Sequence, residues 1–183
     1  MERAAELFAG QGISGTSVDE VLAAAKAGKG QFYHYFRGRD ELAAAAVGLR
    51  CAQVLAGLTL ALGDVSSLAG LEQALAGFVA GFEQTGFPGC PIGTLATEVA
   101  GRNEEARLQA AAGFDAWERL LADALERMRQ GGELRADAEP AVLATGLLAS
   151  IEGGMVLSQT RRDVASLRIA VDTGLAQVRA HLS

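Results

Sequence analysis

Residues that favour helices run through this chain with few interruptions, and this pattern limits its fold more than any other feature. Ala, Leu, Glu and Arg are abundant, and only three of the 183 residues are proline. No stretch alternates apolar and polar residues for long enough to predict a strand. The sequence therefore predicts an all-α protein of about nine helices.

Glycines, prolines and capping residues divide the chain into separate helices. Gly12 follows the end of the first helix, and Ser17 with Glu20 forms a capping box that begins the second. Later helices are separated by glycine-rich or proline-rich turns and by an acidic cap. The predicted helices span residues 2–10, 17–25, 28–35, 39–62, 67–85, 92–101, 104–130, 140–161 and 163–182.

The charge of the chain is acidic overall and basic in one place. A net charge of −6 argues against nonspecific coating of DNA and against binding to an anionic membrane. Residues 21–39 contain four basic side chains and no acid. A local basic patch on an acidic protein is expected for a protein that binds DNA selectively.

Several features indicate a soluble protein of the cytoplasm. Two cysteines are too few for a disulfide framework, which fits a reducing compartment. Glu2 and Glu6 interrupt the N-terminus, so no signal peptide is expected. The apolar uncharged stretches 51–63 and 140–151 fall short of the roughly 18 apolar residues that a membrane span needs. We expect no membrane partner.

Four aromatic residues crowd into five positions at 32–36, with basic residues on both sides. A short helix here would present basic and hydrogen-bonding side chains outward, while Phe32, Tyr35 and Phe36 pack inward. Such a helix suits the major groove of DNA. Together with the preceding helix it predicts a helix-turn-helix.

Short motifs over residues 4–42 resemble, in one register, the DNA-binding domain of TetR-family transcriptional repressors. They are Glu6-Leu7-Phe8, Gly12-Ile13, Thr16-Ser17-Val18, Lys29-Gly30-Gln31-Phe32-Tyr33-His34-Tyr35-Phe36 and Asp40-Glu41-Leu42. The resemblance implies a helix-turn-helix DNA-binding domain of three helices at 1–42 and a larger helical ligand-binding and dimerisation domain at 43–183. Residues 86–95 also resemble one branch of the family, some members of which repress drug-efflux genes and respond to drugs or flavonoids.

The chain departs from the family pattern at three positions. Lys26 stands where the turn before the third helix usually has Gly, and Gly28 stands where Ser or Thr often caps that helix. A left-handed Lys26 would cost up to about 1–2 kcal/mol relative to Gly. Met1 falls inside what is usually the first helix, so either the start codon is misplaced or DNA is bound with fewer contacts.

The resemblance and the side-chain chemistry predict the residues that bind DNA. Gln31 can read adenine, and Lys29 can bind guanine or a phosphate. Tyr33 and His34 are expected to bind phosphates. Phosphates are also expected at free backbone amides where the second helix begins and at the start of the fourth. The predicted set is Thr16, Ser17, Lys26, Gly28, Lys29, Gly30, Gln31, Tyr33, His34 and Arg39.

The last two helices predict half of a four-helix dimer interface. Residues 140–161 are apolar nearly all round, which requires burial on all sides, and 167–182 carry one apolar stripe. Gly146, Gly153 and Gly154 would let these helices approach closely. The predicted interface residues are Leu147, Ile151, Val171, Leu175 and Val178. Burial in the core of a monomer is the alternative.

A pocket for a small-molecule effector is expected among the helices at 67–130. Few charged residues occur among its candidates, so the effector should be apolar or aromatic with few polar anchors. The predicted lining is Phe78, Phe82, Phe87, Phe114, Trp117, Leu121 and Met155. Ordinary core packing is the alternative for each of them.

No residues indicate an enzyme, a metal site or a cofactor. His34 and His181 are too isolated to ligate a metal. Cys90 could be a redox sensor or structural. Asp115, Glu118 and Glu152 could be paired carboxylates, although charged helix faces explain them more simply.

The sequence therefore predicts a ligand-responsive repressor that binds a palindromic operator in double-stranded DNA as a homodimer. A small apolar or aromatic effector would release it by shifting the long helix at 39–62. One alternative is a helical small-molecule-binding protein with weak or lost DNA binding. An all-helical enzyme is a more distant alternative.

Overall fold

The computed structural model describes all 183 residues, which form nine α-helices and no strand. This confirms the predicted all-α fold, and every predicted helix boundary lies within three residues of the observed one. The helices are α1 Glu2–Gln11, α2 Val18–Ala25, α3 Lys29–Tyr35, α4 Arg39–Leu62, α5 Leu68–Gln84, α6 Pro91–Val99, α7 Glu104–Gln130, α8 Pro140–Arg161 and α9 Ala165–Arg179.

Helix α2 begins at the predicted capping box. The amide of Glu20 donates to Ser17 Oγ over 3.2 Å, and the amide of Ser17 donates to Glu20 Oε2 over 2.7 Å. These bonds satisfy amides that the first turn of a helix leaves unpaired. The hydrogen bonds from Ser17 lower the pKa of Glu20. A local signal of four residues therefore sets where the second helix starts.

The chain folds into two compact units that differ from a simple N-terminal and C-terminal division. The first unit contains residues 1–55 and 91–114, and the second contains 56–90 and 115–183. Helices α4 and α7 each contribute residues to both units. The boundary at residue 42, which concerns a division of function, stays a prediction.

The first unit packs its three short helices with α6 and with parts of α4 and α7. Phe8, Phe32 and Leu42 are buried in its core. Where α4 meets α7, a Cβ atom added to Gly113 would lie 2.6 Å from Cys51 Sγ, so only glycine permits this approach. The same unit therefore holds the predicted helix-turn-helix and helix α6.

In the second unit, α8 packs along α9 around buried apolar side chains, and Trp117 of α7 is also fully buried. A Cβ atom on Gly154 would lie 2.7 Å from the Ala170 Cβ, which confirms that this glycine allows a close helix approach. Gly153 has no such neighbour within 4 Å. Close packing here depends on Gly154 and not on Gly153.

Two helices are long and apolar enough to cross a membrane, although the uncharged stretches of the sequence predicted none. These are α4 and α8, each with a mean hydropathy of 1.6 in its most apolar window. The core helix of a soluble protein meets the same criterion. Within the chain, 44% of the α8 window and 28% of the α4 window are buried.

Candidate nucleic-acid interface and the helices behind it

Helix α3 presents polar side chains outward from a single buried aromatic anchor. Gln31, Tyr33 and His34 are exposed, whereas Phe32 is only 5% exposed. The Phe32 ring contacts Tyr33 and Phe36 at centroid distances of 5.1 and 5.5 Å. Phe32 holds α3 against the core, so the polar face of α3 is free to contact another molecule.

The predicted inward position of Tyr35 is wrong. Its side chain is 66% exposed, and its ring lies edge-on to His34 at a centroid distance of 4.9 Å. Helix α3 has only seven residues, so few positions face the core. Phe36, which follows in extended conformation, is half-buried and packs on Phe32 instead. Tyr35 therefore adds a second phenol to the exposed surface.

The turn between α2 and α3 has the left-handed conformation that the family pattern predicts. Lys26 ends α2 with φ 51° and ψ 40°, and its amide donates to the carbonyl of Ala23. Gly28 caps α3 in extended conformation without a side-chain hydrogen bond. Lys26 and Gly28 therefore lower the stability of this turn. The backbone still adopts the left-handed conformation that the family pattern predicts.

A groove of about 200 Å³ separates the start of α2 from α3. Its walls carry one basic and one acidic side chain, because Lys29 Nζ lies 3.1 Å from Asp19 Oδ1. Both side chains are mostly exposed, and exposed ion pairs contribute little. A phosphate could therefore replace Asp19 as the partner of Lys29 at small cost.

Thr16 and Ser17 are less available than the sequence predicts. Thr16 is buried, and its hydroxyl donates to the carbonyl of Gly12 over 2.8 Å. The amide of Thr16 donates to the carbonyl of Ile13, and that of Ser17 donates to Glu20. The expectation that these two amides are free is therefore wrong. A phosphate contact by either residue stays a prediction.

Arg39 binds the turn between α1 and α2. Its Nη2 donates to the carbonyls of Ile13, Ser14 and Thr16, the last two over 3.2 and 3.0 Å. The guanidinium thus satisfies backbone acceptors in this turn. Its predicted contact with a phosphate would have to add to these bonds or replace them.

Helix α6 holds the same turn from its other side. The carboxylate of Glu98 accepts the amide of Ser14, and Arg102 Nη1 donates to the Ser14 hydroxyl over 3.0 Å. Gly12 has φ 78°, and a Cβ atom there would lie 3.1 Å from both Glu98 oxygens. Sequence reasoning missed this contact, since no local signal joins residues 84 positions apart.

Glu98 is held in its charged form. Burial opposes its ionisation, but hydrogen bonds from the amides of Ser14 and Ile13 and from the Ser14 hydroxyl, together with the charge of Arg102, outweigh burial and lower the pKa of the carboxyl. A second link joins the same regions, because Asn103 Nδ2 donates to the carbonyl of Asp40 over 2.9 Å. Helix α6 and the residues after it therefore help to position the helix-turn-helix.

The predicted effector residues form two aromatic pairs in the second unit. The Phe78 and Trp117 rings lie 5.9 Å apart, and those of Phe82 and Phe87 lie 5.8 Å apart. Phe114 belongs to the first unit. The buried members of the predicted set are Phe82, Trp117, Leu121 and Met155. Contact of any of them with an effector stays a prediction.

Asp115, Glu118 and Glu152 have separate surroundings and do not form paired carboxylates. Asp115 is exposed, and Glu118 Oε1 accepts the Thr145 hydroxyl over 2.5 Å. Glu152 is half-buried and accepts a hydrogen bond from the thiol of Cys90. Its Oε1 atom is buried and has no hydrogen-bond partner. Of these acids, only Glu152 has a buried oxygen without a partner.

A groove of about 510 Å³ runs between α5 and α9, apart from the predicted effector residues. Two ion pairs lie across these helices: Arg179 to Glu72 at 2.5 Å and Arg168 to Glu83 at 2.7 Å. None of the seven predicted effector residues lines this groove. It is an open, charged surface unlike the apolar pocket that the sequence predicts.

The five predicted dimer residues are buried within a single chain. Leu147, Ile151, Val171, Leu175 and Val178 are at most 5% exposed. Their helical spacing identifies an apolar stripe, but the stripe packs α8 against α9. The expectation that α8 is buried all round is wrong for one chain, since Val142 and Val156 remain exposed, as does Ile169 of α9. The accessible apolar surface of α8 and α9 therefore includes Val142, Val156 and Ile169 and not the five predicted residues.

Comparison with known families agrees with this geometry. Residues 1–46 match the profile of the bacterial regulatory proteins of the tetR family. Residues 67–173 match that of the LmrA/YxaF-like transcriptional regulators, C-terminal domain. The chain belongs to the TetR family. It is therefore a DNA-binding helix-turn-helix regulator of transcription and not an enzyme.

Relatives from several bacteria match most of the chain. It is 30% identical to the uncharacterized regulator YxaF of Bacillus subtilis, over 94% of this chain and 89% of that one. It is 24% identical to the repressor DhaR of a Mycobacterium species, over 89% and 82%. A regulatory protein TetR from Rhodobacter sphaeroides has the same fold, with a TM-score of 0.80, 26% identity and coverage of 100% and 96%.

Proposed function

We propose that this TetR-family chain is a cytoplasmic, dimeric repressor that binds a palindromic operator and leaves it when a small effector binds. The exposed face of α3 carries the proposal, because Gln31, Tyr33 and His34 project from a helix that Phe32 anchors. The name of the relative DhaR, a transcriptional repressor, supports repression as the sign of regulation.

Within the proposed interface, Gln31 reads the base sequence and its neighbours fix the register. The amide of Gln31 can pair with adenine through two hydrogen bonds. Lys29, Tyr33 and His34 bind phosphates or flank the base contact. Gly28 and Gly30 allow the helix to approach the backbone of the operator, and the exposed amine of Lys26 contacts a phosphate there. Thr16, Ser17 and Arg39 order the preceding turn, where two further phosphates would lie.

Selection of bound DNA from a random pool tests the proposal. It should return a palindrome whose half-sites lie about 34–36 Å apart. Affinity for that palindrome should fall steeply with salt, because bound phosphates release counterions. A pool without enrichment would instead support a small-molecule-binding protein that has lost DNA binding.

Gln31→Ala provides the sharpest single test of the recognition helix. Loss of the paired hydrogen bonds should cost about 1–3 kcal/mol at one base position in each half-site and relax the preference for adenine there. The circular dichroism spectrum should not change, since Gln31 is exposed. Gln11→Ala, also exposed but on α1, is the matched control and should keep full selectivity.

Effector release is proposed to act through α4 and α6. Helix α4 supplies residues to both units, and α6 holds the turn between α1 and α2 through Glu98. If the effector lowers the affinity for DNA, DNA must lower the affinity for the effector by the same factor. A gel-shift titration in which a bound effector leaves DNA affinity unchanged would contradict release.

A further inference from the structure

We propose that Glu152 is the polar anchor of the effector site and that the effector carries a hydrogen-bond donor, a protonated amine or a hydroxyl, which binds Glu152 Oε1. This inference rests on the proposed function, because it names the chemistry of the ligand that releases the repressor. It replaces the expectation of an effector recognised almost wholly by apolar contacts.

Burying the carboxylate of Glu152 costs free energy unless a hydrogen-bond donor binds to it. It is the only acid in the 22 residues of α8, and its Oε1 atom is buried without a partner. Buried polar atoms are almost always hydrogen-bonded, because an unpaired one loses its bonds to water and gains none in return. The position is therefore explained if a donor from outside the chain completes it.

No group of the chain supplies that donor. None of the eight ion pairs in the structure includes Glu152. Its hydrogen bond comes from the thiol of Cys90, which is a weak donor. Burial raises the pKa of Glu152, and the hydrogen bond from Cys90 offsets only part of that effect.

Specific contacts hold the segment that carries Cys90 against α8. Gln159 Nε2 donates to the carbonyl of Pro88 over 3.1 Å. A Cβ atom on Gly89 would lie 2.6 Å from Gln159 Oε1, so the backbone here packs directly on that side chain. Phe87 takes a left-handed conformation with φ 61° and packs on Phe82. Cys90 thus lies against Glu152, and Oε1 has no partner within the chain.

Three probes with one naphthalene ring test the inference by calorimetry: 2-naphthylmethylamine, 2-naphthalenemethanol and 2-(methoxymethyl)naphthalene. The amine and the alcohol carry a donor, whereas the ether does not. We expect the amine, the alcohol or both to bind the wild-type chain at least about tenfold more tightly than the ether, as one hydrogen bond to a charged group would give. Equal affinities for the three probes, or no binding of either donor, would overturn the inference.

Two substitutions separate charge from hydrogen bonding. Glu152→Met removes the acceptor and should abolish the preference for both donors. Glu152→Gln keeps an acceptor but not the charge, so it should lose the preference for the amine and keep that for the alcohol. Asp115→Asn, at an exposed acid, is the control and should behave as wild type. A donor preference that persists in Glu152→Met would place the site elsewhere.

Folding and DNA binding are followed separately in each variant. Because Glu152→Met removes an uncompensated buried acid, its thermal midpoint should equal or exceed that of the wild type. A lower midpoint would show that Glu152 is structural and would overturn the inference. If the chain binds the donor probes but selects no DNA, the proposed function is refuted and the Glu152 anchor is not. If the chain selects DNA but shows no preference for the donor probes, the Glu152 anchor is refuted and the proposed function is not.

Discussion

Lys26 combines a poor backbone conformation with a basic side chain at the edge of the recognition helix. Its φ of 51° lies in the left-handed region, which costs a residue with a Cβ atom about 1–2 kcal/mol relative to glycine. The amine is exposed and forms no ion pair. A lysine at this position does not stabilise the turn, and we propose that it serves DNA binding.

Replacing Lys26 separates these two effects. Lys26→Gly should raise the free energy of unfolding by about 1 kcal/mol, because the strain is removed. It should also reduce the salt dependence of DNA binding by about one phosphate contact. Urea denaturation measures the free energy of unfolding, and gel shifts at several salt concentrations measure the salt dependence of DNA binding. Lys26→Ala keeps the strain and should change only DNA binding; equal stabilisation by alanine would show that the backbone is not strained.

At the scale of the helices, Glu98 joins α6 to the turn before the helix-turn-helix. Its carboxylate accepts the Ser14 amide, and a hydrogen bond to a charged group contributes about 1.5–3 kcal/mol. Glu98→Gln should therefore lower DNA affinity and speed hydrogen exchange of the Ser14 amide. Glu105→Gln, at an exposed acid of α7, is the matched control. Unchanged exchange at Ser14 in Glu98→Gln would refute this role.

The same contact should depend on pH in one direction. The pKa of Glu98 is lower in the folded chain than the value of about 4.3 expected in the unfolded chain. Its contribution to stability is therefore present above that value and lost as pH falls through the lower, folded pKa. Unfolding midpoints of the wild type and Glu98→Gln should converge in acid. A difference that persists below the folded pKa would contradict this assignment.

The sequence predicts helices better than the contacts between them. The capping box at Ser17 and the turn glycines act within a few residues, so all nine helices were predicted. The bond of Glu98 to Ser14 and those of Arg39 to the same turn join distant positions and leave no periodic signal. The exposure of Tyr35 was missed because a seven-residue helix has too few turns to define an inner face.

At the scale of the whole molecule, periodicity finds an apolar stripe but does not identify what covers it. Leu147 and Val178 lie on such a stripe and are covered by their own chain. A second stripe on α8 places Val142, Ala149 and Val156 at intervals of seven, all exposed. Ile169 of α9 is 67% exposed. An accessible apolar face on two packed helices is expected to associate with a second copy of itself.

A charge at the centre of this face should separate the dimer. Val156→Asp and Ile169→Asp should each shift the mass measured by light scattering from twice 18.9 kDa to 18.9 kDa. Leu108→Asp, on an exposed apolar residue of α7, should leave the dimer intact. Affinity for the palindrome should fall by about 100-fold or more in the monomer, because the second half-site is no longer bound intramolecularly. A monomeric wild-type chain with full DNA affinity would refute both the interface and the paired half-sites.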